Sequence, residues 1–149
     1  MIEENLNPNK SFEIAFCGLR VAAGVIFIAH GLPKFSPGFG GFLGNIGMPP
    51  EAQIPIALLE VIGGLVLILG VLSRISAAML SMNMIGAIFV VKSASNLTGQ
   101  GGYELDLILL AINLVLIANG PGLISVSQLI KKIPTANILL SNPTANILV

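Results

Sequence analysis

Apolar positions in this chain gather into four long unbroken runs, Ile14–Pro33, Ile54–Ser73, Ile75–Lys92 and Tyr103–Asn119. Each has the roughly 17–25 residues that a helix needs to cross a bilayer. Lipid accepts only helices or closed barrels, because every backbone polar group must be satisfied internally, and these runs lack barrel-like alternation. The pattern therefore predicts an all-α integral membrane four-helix bundle over residues 14–122, with the Ser73-Arg74 link folding the second and third runs into an antiparallel hairpin.

The flanks differ in kind. Residues 1–13 are polar and read as a tail in which Asn9 or Ser11 caps the first helix, with Glu13 in its first turn. The run that follows carries an arginine and no small-residue cleavage site, so it is not a secretory signal. Gly120-Pro121-Gly122 stops the last span. Residues 123–149 are expected as a cytoplasmic helix and tail, with Lys131 and Lys132 near anionic headgroups. Pro-Thr-Ala-Asn-Ile-Leu occurs at Pro134–Leu139 and again at Pro143–Leu148, too few copies for a solenoid.

The first loop, KFSPGFGGFLGNIGMPPEAQ, places Phe39, Phe42, Leu43 and Ile46 on one side of a helical turn pattern. Its five glycines oppose a helix in water. A short interfacial segment acting as a lid and an irregular loop held by Phe anchors both fit. Lysine and arginine in the flanks set orientation. Lys10, Arg74, Lys131 and Lys132 on one side outweigh Lys34 and Lys92 on the other. Both termini are then cytoplasmic in a multi-pass cell-membrane protein, with residues 34–53 and 93–102 outside. Asn96-Leu97-Thr98 in the second outer loop matches a glycosylation acceptor, a triplet that also arises by chance.

Composition sharpens the class. Only 9% of the 149 residues are charged and 54% are apolar, where a soluble domain carries about 25% charged. Seven basic and seven acidic residues cancel, leaving no basic patch for nucleic acid. A single cysteine, Cys17, excludes an internal disulfide, a CxxC pair and a cysteine-ligated cluster; the lone His30 excludes bis-histidine haem. No metal site and no intrinsic cofactor are expected.

What remains is a short set of polar residues in apolar surroundings: Arg20, His30, Glu60, Asn83, Glu104, Asp106 and Asn113, with Lys34 at the rim. Ionisable groups in hydrocarbon are costly and mark function or an ion pair. A rise of ~1.5 Å per residue puts Glu60 about 9 Å below the outer surface. His30 then reaches it from above and Arg20 from below. Arg20, Gly24, Phe27, Gly31 and Lys34 share one stripe; Ala57, Glu60, Gly63, Gly64 and Leu67 share another. Their small residues predict close contact of the first and second spans, with Glu60 between them. Asp106 and Asn113 lie on one face of the fourth span and Glu104 nearly opposite, so one acid should face the bundle and one the exterior. Asn83 and Asn113 are expected to hydrogen-bond between helices, and Cys17 to pack. An Arg20–Glu60 pair that merely fixes register stands beside a ligand or proton site of Glu60 with His30, a residue whose charge changes near neutrality.

The ordered set Arg20-Val-Ala-Ala-Gly24 through His30-Gly31 with Lys34, Leu59-Glu60-Val-Ile-Gly63-Gly64, Gly70, Arg74, Gly102-Tyr103-Glu104-Leu105-Asp106-Leu107 and Gly120-Pro121-Gly122 with Ser125 resembles the DoxX family of small four-span membrane proteins. The resemblance covers about 16–128. It implies the four-helix membrane fold and an association with sulfur and quinone redox chemistry, through relatives in thiosulfate:quinone oxidoreductase. On that implication a quinone from the membrane sits near the outer interface. Glu60 and His30 would be catalytic, and Arg20, Lys34, Glu104 and Asp106 would bind substrate. The alternatives are a non-catalytic accessory subunit, or homo-oligomer, packed beside other membrane subunits, and a small anion transporter.

Overall fold

The apolar runs fold as helices, and the polar and glycine-rich stretches between them turn the chain back. The computed structural model describes residues 8–131 except 94 and 100. Expectations for residues 1–7 and 132–149, Lys132 and the hexapeptide repeat among them, lie outside the described residues. Helix α1 is Pro8–Gly31 and α2 is Pro37–Asn45; α3 is Gln53–Leu69, α4 Ser73–Gly86, α5 Glu104–Asn119 and α6 Val126–Lys131. A tight 3-10 turn, Leu32–Phe35, follows α1, and a π turn, Ala87–Val91, continues α4. Three stretches, Lys10–Phe35, Pro50–Leu69 and Ser73–Val91, are long and apolar enough to cross a membrane. Helix α5, with 16 residues, is shorter.

Helix α1 begins earlier than its apolar run suggests, which corrects the capping expectation. Asn9 and Ser11 lie inside the helix, and Pro8 stands at its start, where a missing N–H costs nothing. Glu13 is occupied elsewhere: its carboxylate accepts the N–H of Leu123 at 2.7 Å, tying α1 to the segment after α5.

Helices α1 and α3 make the most extensive contact, followed by α4 with α5 and α3 with α4, and α1 also meets α5. The α1–α3 contact runs through the two predicted stripes. A Cβ placed on Gly24 would lie 2.6 Å from the carbonyl oxygen of Gly64, and one on Gly64 equally close to that of Gly24, so only glycine permits this backbone approach. Gly31 covers Glu60, whose Cβ would lie 2.9 Å from an added methyl. Phe27, Leu67, Leu80 and Leu116 fill the interior with no exposed surface. Val25, Ile62, Leu65, Phe89, Ile108 and Leu114 face outward, an apolar exterior suited to lipid rather than water.

Candidate functional site

The site begins with the way α1 ends. Past Gly31 the chain tightens into the 3-10 turn, and Gln53, the first residue of α3, holds that turn in place. The Gln53 Nε2 donates to the carbonyl oxygens of Lys34 at 2.9 Å and Ser36 at 2.8 Å. So fixed, the Lys34 side chain runs back toward α3. Its ammonium lies 5.5 Å over the Phe39 ring and forms an ion pair with Oε1 of Glu60.

Helix α4 supplies a second donor to the same oxygen, the Asn83 Nδ2 at 2.6 Å. The other carboxylate oxygen, Oε2, is buried and has no hydrogen-bond partner among the described residues. A buried acceptor without a donor costs about 1–3 kcal/mol and calls for an explanation.

Above this cluster α4 changes register. Asn83 and Lys92 are nine residues apart in the sequence, which in an unbroken α-helix would put them on opposite faces. The π turn, closed by the Lys92 N–H on the Ala87 carbonyl at 2.9 Å, acts as a one-residue insertion and swings Lys92 back by about 100°. The Lys92 Nζ then meets Asp106 Oδ2 at 2.5 Å and the Gly102 carbonyl at 2.9 Å.

Both ion pairs border one cavity of about 460 Å³. His30, Lys34, Glu60, Asn83, Lys92 and Asp106 supply its polar surface, and residues such as Phe42, Met48, Ile56, Met82 and Val90 supply the larger apolar part. Phe39, Phe42 and Leu43 of α2 form the cover, with Leu43 fully buried. Ile46, expected on the same stripe, falls beyond the end of α2, and Met48 lines the cavity instead. Met82, beside Asn83 in sequence, lines the cavity and is 74% exposed, so the cavity wall reaches the outer apolar surface of α4.

Four of the six residues singled out from the sequence thus share one space: Glu60, His30, Lys34 and Asp106. His30 is exposed at its lip. Glu104 is exposed in the first turn of α5 while Asp106 faces inward, the division of roles anticipated for the two acids. Arg20 lies elsewhere. Neither Arg20 nor His30 is the partner of Glu60; Lys34 is. Arg20, 2% exposed, donates to the Pro121 carbonyl and, at 2.7 Å, to that of Ile124, and lies 3.8 Å from Cys17 Sγ.

The physical reason is the position of two helix ends. Gly70 closes α3 and lies against the guanidinium, and the carbonyls that Arg20 binds directly follow α5. The negative ends of two helix dipoles converge there and compensate the buried cation without a carboxylate. Asn113 also departs from expectation: it is fully buried, yet neither atom of its amide has a hydrogen-bond partner among the described residues. Asn83, Lys92 and Gln53 were not singled out as site residues. Of these, Asn83 makes the interhelical hydrogen bond expected of it, and Lys92 carried a signal as the only lysine flanking the third span on the side where Asp106 begins the fourth.

Ammonium and amide donors, carboxylate acceptors and a largely apolar lining suit a small, mostly apolar molecule that carries polar oxygens. The volume lies within the roughly 300–1,000 Å³ of small-molecule sites. Among the described residues no three His, Cys, Asp or Glu side chains gather as metal ligands would.

The family model for DoxX matches residues 15–93. A Bacillus subtilis (strain 168) protein named "Putative oxidoreductase CatD" is 40% identical over 111 residues, covering 72% of this chain and 82% of that protein. A Haemophilus influenzae (strain ATCC 51907 / DSM 11121 / KW20 / Rd) protein described as "Uncharacterized protein" is 30% identical over 127 residues, 79% of this chain and 90% of its own. No solved structure matches.

Proposed function

The chain belongs to the DoxX family of membrane proteins, and on that premise we propose that it is the membrane subunit of a quinone-linked oxidoreductase, with the α2-covered cavity as its quinone site. The observation that carries the reading is the Glu60 carboxylate, bonded by Lys34 and Asn83 at one oxygen, bordering a largely apolar cavity that a second ion pair also borders. The relative named as an oxidoreductase agrees with it.

In this reading α5 is a fourth span, about 24 Å long, and α2 lies in the outer interface as a lid. The Lys34 and Lys92 end faces outward, and both termini are cytoplasmic. Lipid quinone enters past Met82. Lys34 donates a hydrogen bond to a ring oxygen, and Asp106 binds the substrate from the opposite wall. Glu60 holds a proton or accepts one at the ring, and His30 exchanges protons between the lip and the exterior. A bound quinone supplies two-electron, two-proton chemistry; the electrons come from a partner subunit.

Purified protein in lipid nanodiscs, titrated with duroquinone, tests the site. Glu60→Gln should weaken binding by about tenfold or more. Unchanged affinity in a folded variant overturns the reading.

A second reading, the accessory subunit, draws on the outer groove between α3 and α4. That groove, of about 380 Å³, is lined by Leu58, Ile62, Val66, Ile75 and Met79 over a floor of Gly63 and Ser76. Isolation in mild detergent as a lone monomer would remove it.

A further inference from the structure

The cavity has a second polar end, of which the quinone reading uses Asp106 alone and leaves Lys92 without a role. Lys34 and Glu60, from the end of α1 and from α3, form one ion pair; Lys92 and Asp106, from the end of α4 and from α5, form the other. All four residues border the same space. Each pair joins an ammonium, which only donates, to a carboxylate, which only accepts. The side chains of Lys34 and Lys92 remain 23% and 27% exposed, and that of Asp106 14%, so each end keeps reachable polar surface.

Sequence alone would not put Lys92 there. The π turn brings it to the cavity at the expense of regular α-helix bonding, and such turns concentrate at functional sites. A pair serving only to tie the loop to α5 would not need to border the cavity.

We infer that the cavity is a two-ended site for a ring bearing oxygen at both ends, in either oxidation state, with Lys34–Glu60 taking one oxygen and Lys92–Asp106 the other. The inference rests on the quinone reading. Each lysine donates to a carbonyl oxygen of the oxidised ring. Asp106 accepts the hydroxyl of the reduced ring directly, and Glu60, 1% exposed, accepts the other as the more exposed Lys34 ammonium moves aside. Both states are therefore held by the same four side chains.

The test uses the full chain in nanodiscs and three probes of one shape: duroquinone, durohydroquinone and durenol, which lacks the second oxygen. Durohydroquinone should bind about tenfold or more tightly than durenol. Asp106→Asn, which keeps the side-chain shape, should weaken the hydroquinone several-fold more than the quinone, a difference that a merely structural pair would not produce. Lys92→Met should weaken both dioxygenated probes, and Lys92→Arg should recover part of the loss. Equal affinity for durenol and durohydroquinone, with Glu60→Gln still damaging, would overturn the two-ended site and leave the quinone reading standing. If none of the three probes binds, both fall.

Discussion

Lys34 and Glu60 join across the α1–α3 contact with unequal exposure: 23% of the lysine side chain is reachable and 1% of the carboxylate. Among the described residues the lysine is the one cation bonded to a carboxylate that α1, α3 and α4 enclose. Removing it leaves a buried, uncompensated charge. Breaking such a pair costs about 3–5 kcal/mol, whereas replacing both members by apolar groups is often close to neutral. Lys34→Met should therefore lower the unfolding midpoint more than Lys34→Met combined with Glu60→Leu. Thermal unfolding of the single and double variants in the same nanodiscs checks the order; a double variant less stable than Lys34→Met would contradict it.

The Gly24–Gly64 contact predicts a sharp positional effect. Alanine at either position drives a methyl to 2.6 Å from a backbone oxygen, and backbone cannot step aside as a flexible side chain can. Gly24→Ala and Gly64→Ala should each cost about 1–3 kcal/mol through separation of α1 from α3. Gly18→Ala, with nothing within 4 Å on the same helix, should be neutral or slightly stabilising.

Asn113 invites the opposite change. Its amide is fully buried with neither atom bonded, so the cost of desolvation is not recovered. Asn113→Val should raise the unfolding midpoint, by an amount equivalent to about 1 kcal/mol. A large loss of stability would mean that the amide has a partner such as a buried water.

The π turn can be tested by length. Deleting Ala87 should remove the inserted residue and restore α-helical bonding while keeping Lys92 toward Asp106, because eight residues of regular helix leave Lys92 about 80° from Asn83, the same angle that the π turn produces. Duroquinone affinity should then change little, unlike the loss expected for Lys92→Met, while helix content by circular dichroism stays the same. A loss of about tenfold on deletion would show that the π turn does more than set the direction of Lys92.

Much of this arrangement was legible in the chain. Long apolar runs fixed the helices because lipid-exposed backbone has no other solution, and the glycines at 24, 31 and 64 marked the face where α1 and α3 meet, while Gly63 turns to Leu80 of α4. Glu60 announced itself by its cost. Its partner did not, because a depth scale measured along helix axes treats Lys34 as a rim residue, although Lys34 continues the α1 stripe. The 3-10 turn and the Gln53 clamp, which no periodicity encodes, aim its long side chain inward. Arg20 misled for a different reason: its acceptors are main-chain carbonyls, which every residue possesses and no side chain signals. The π turn in Ala87-Ile-Phe-Val-Val was silent too, since this sequence suits an ordinary apolar helix equally well.

Arg20 also sets a timetable. Its carbonyl acceptors follow it by 101 and 104 residues, so they do not exist when α1 leaves the ribosome. At about 5–20 residues per second, the guanidinium waits roughly 5–20 s for them. During that interval α1 must hold an uncompensated charge at the membrane, helped only by the end of α3 when it arrives. A chain cut before Gly120 never ends the wait. The turn that follows α5 is therefore the one that commits the first helix to its place.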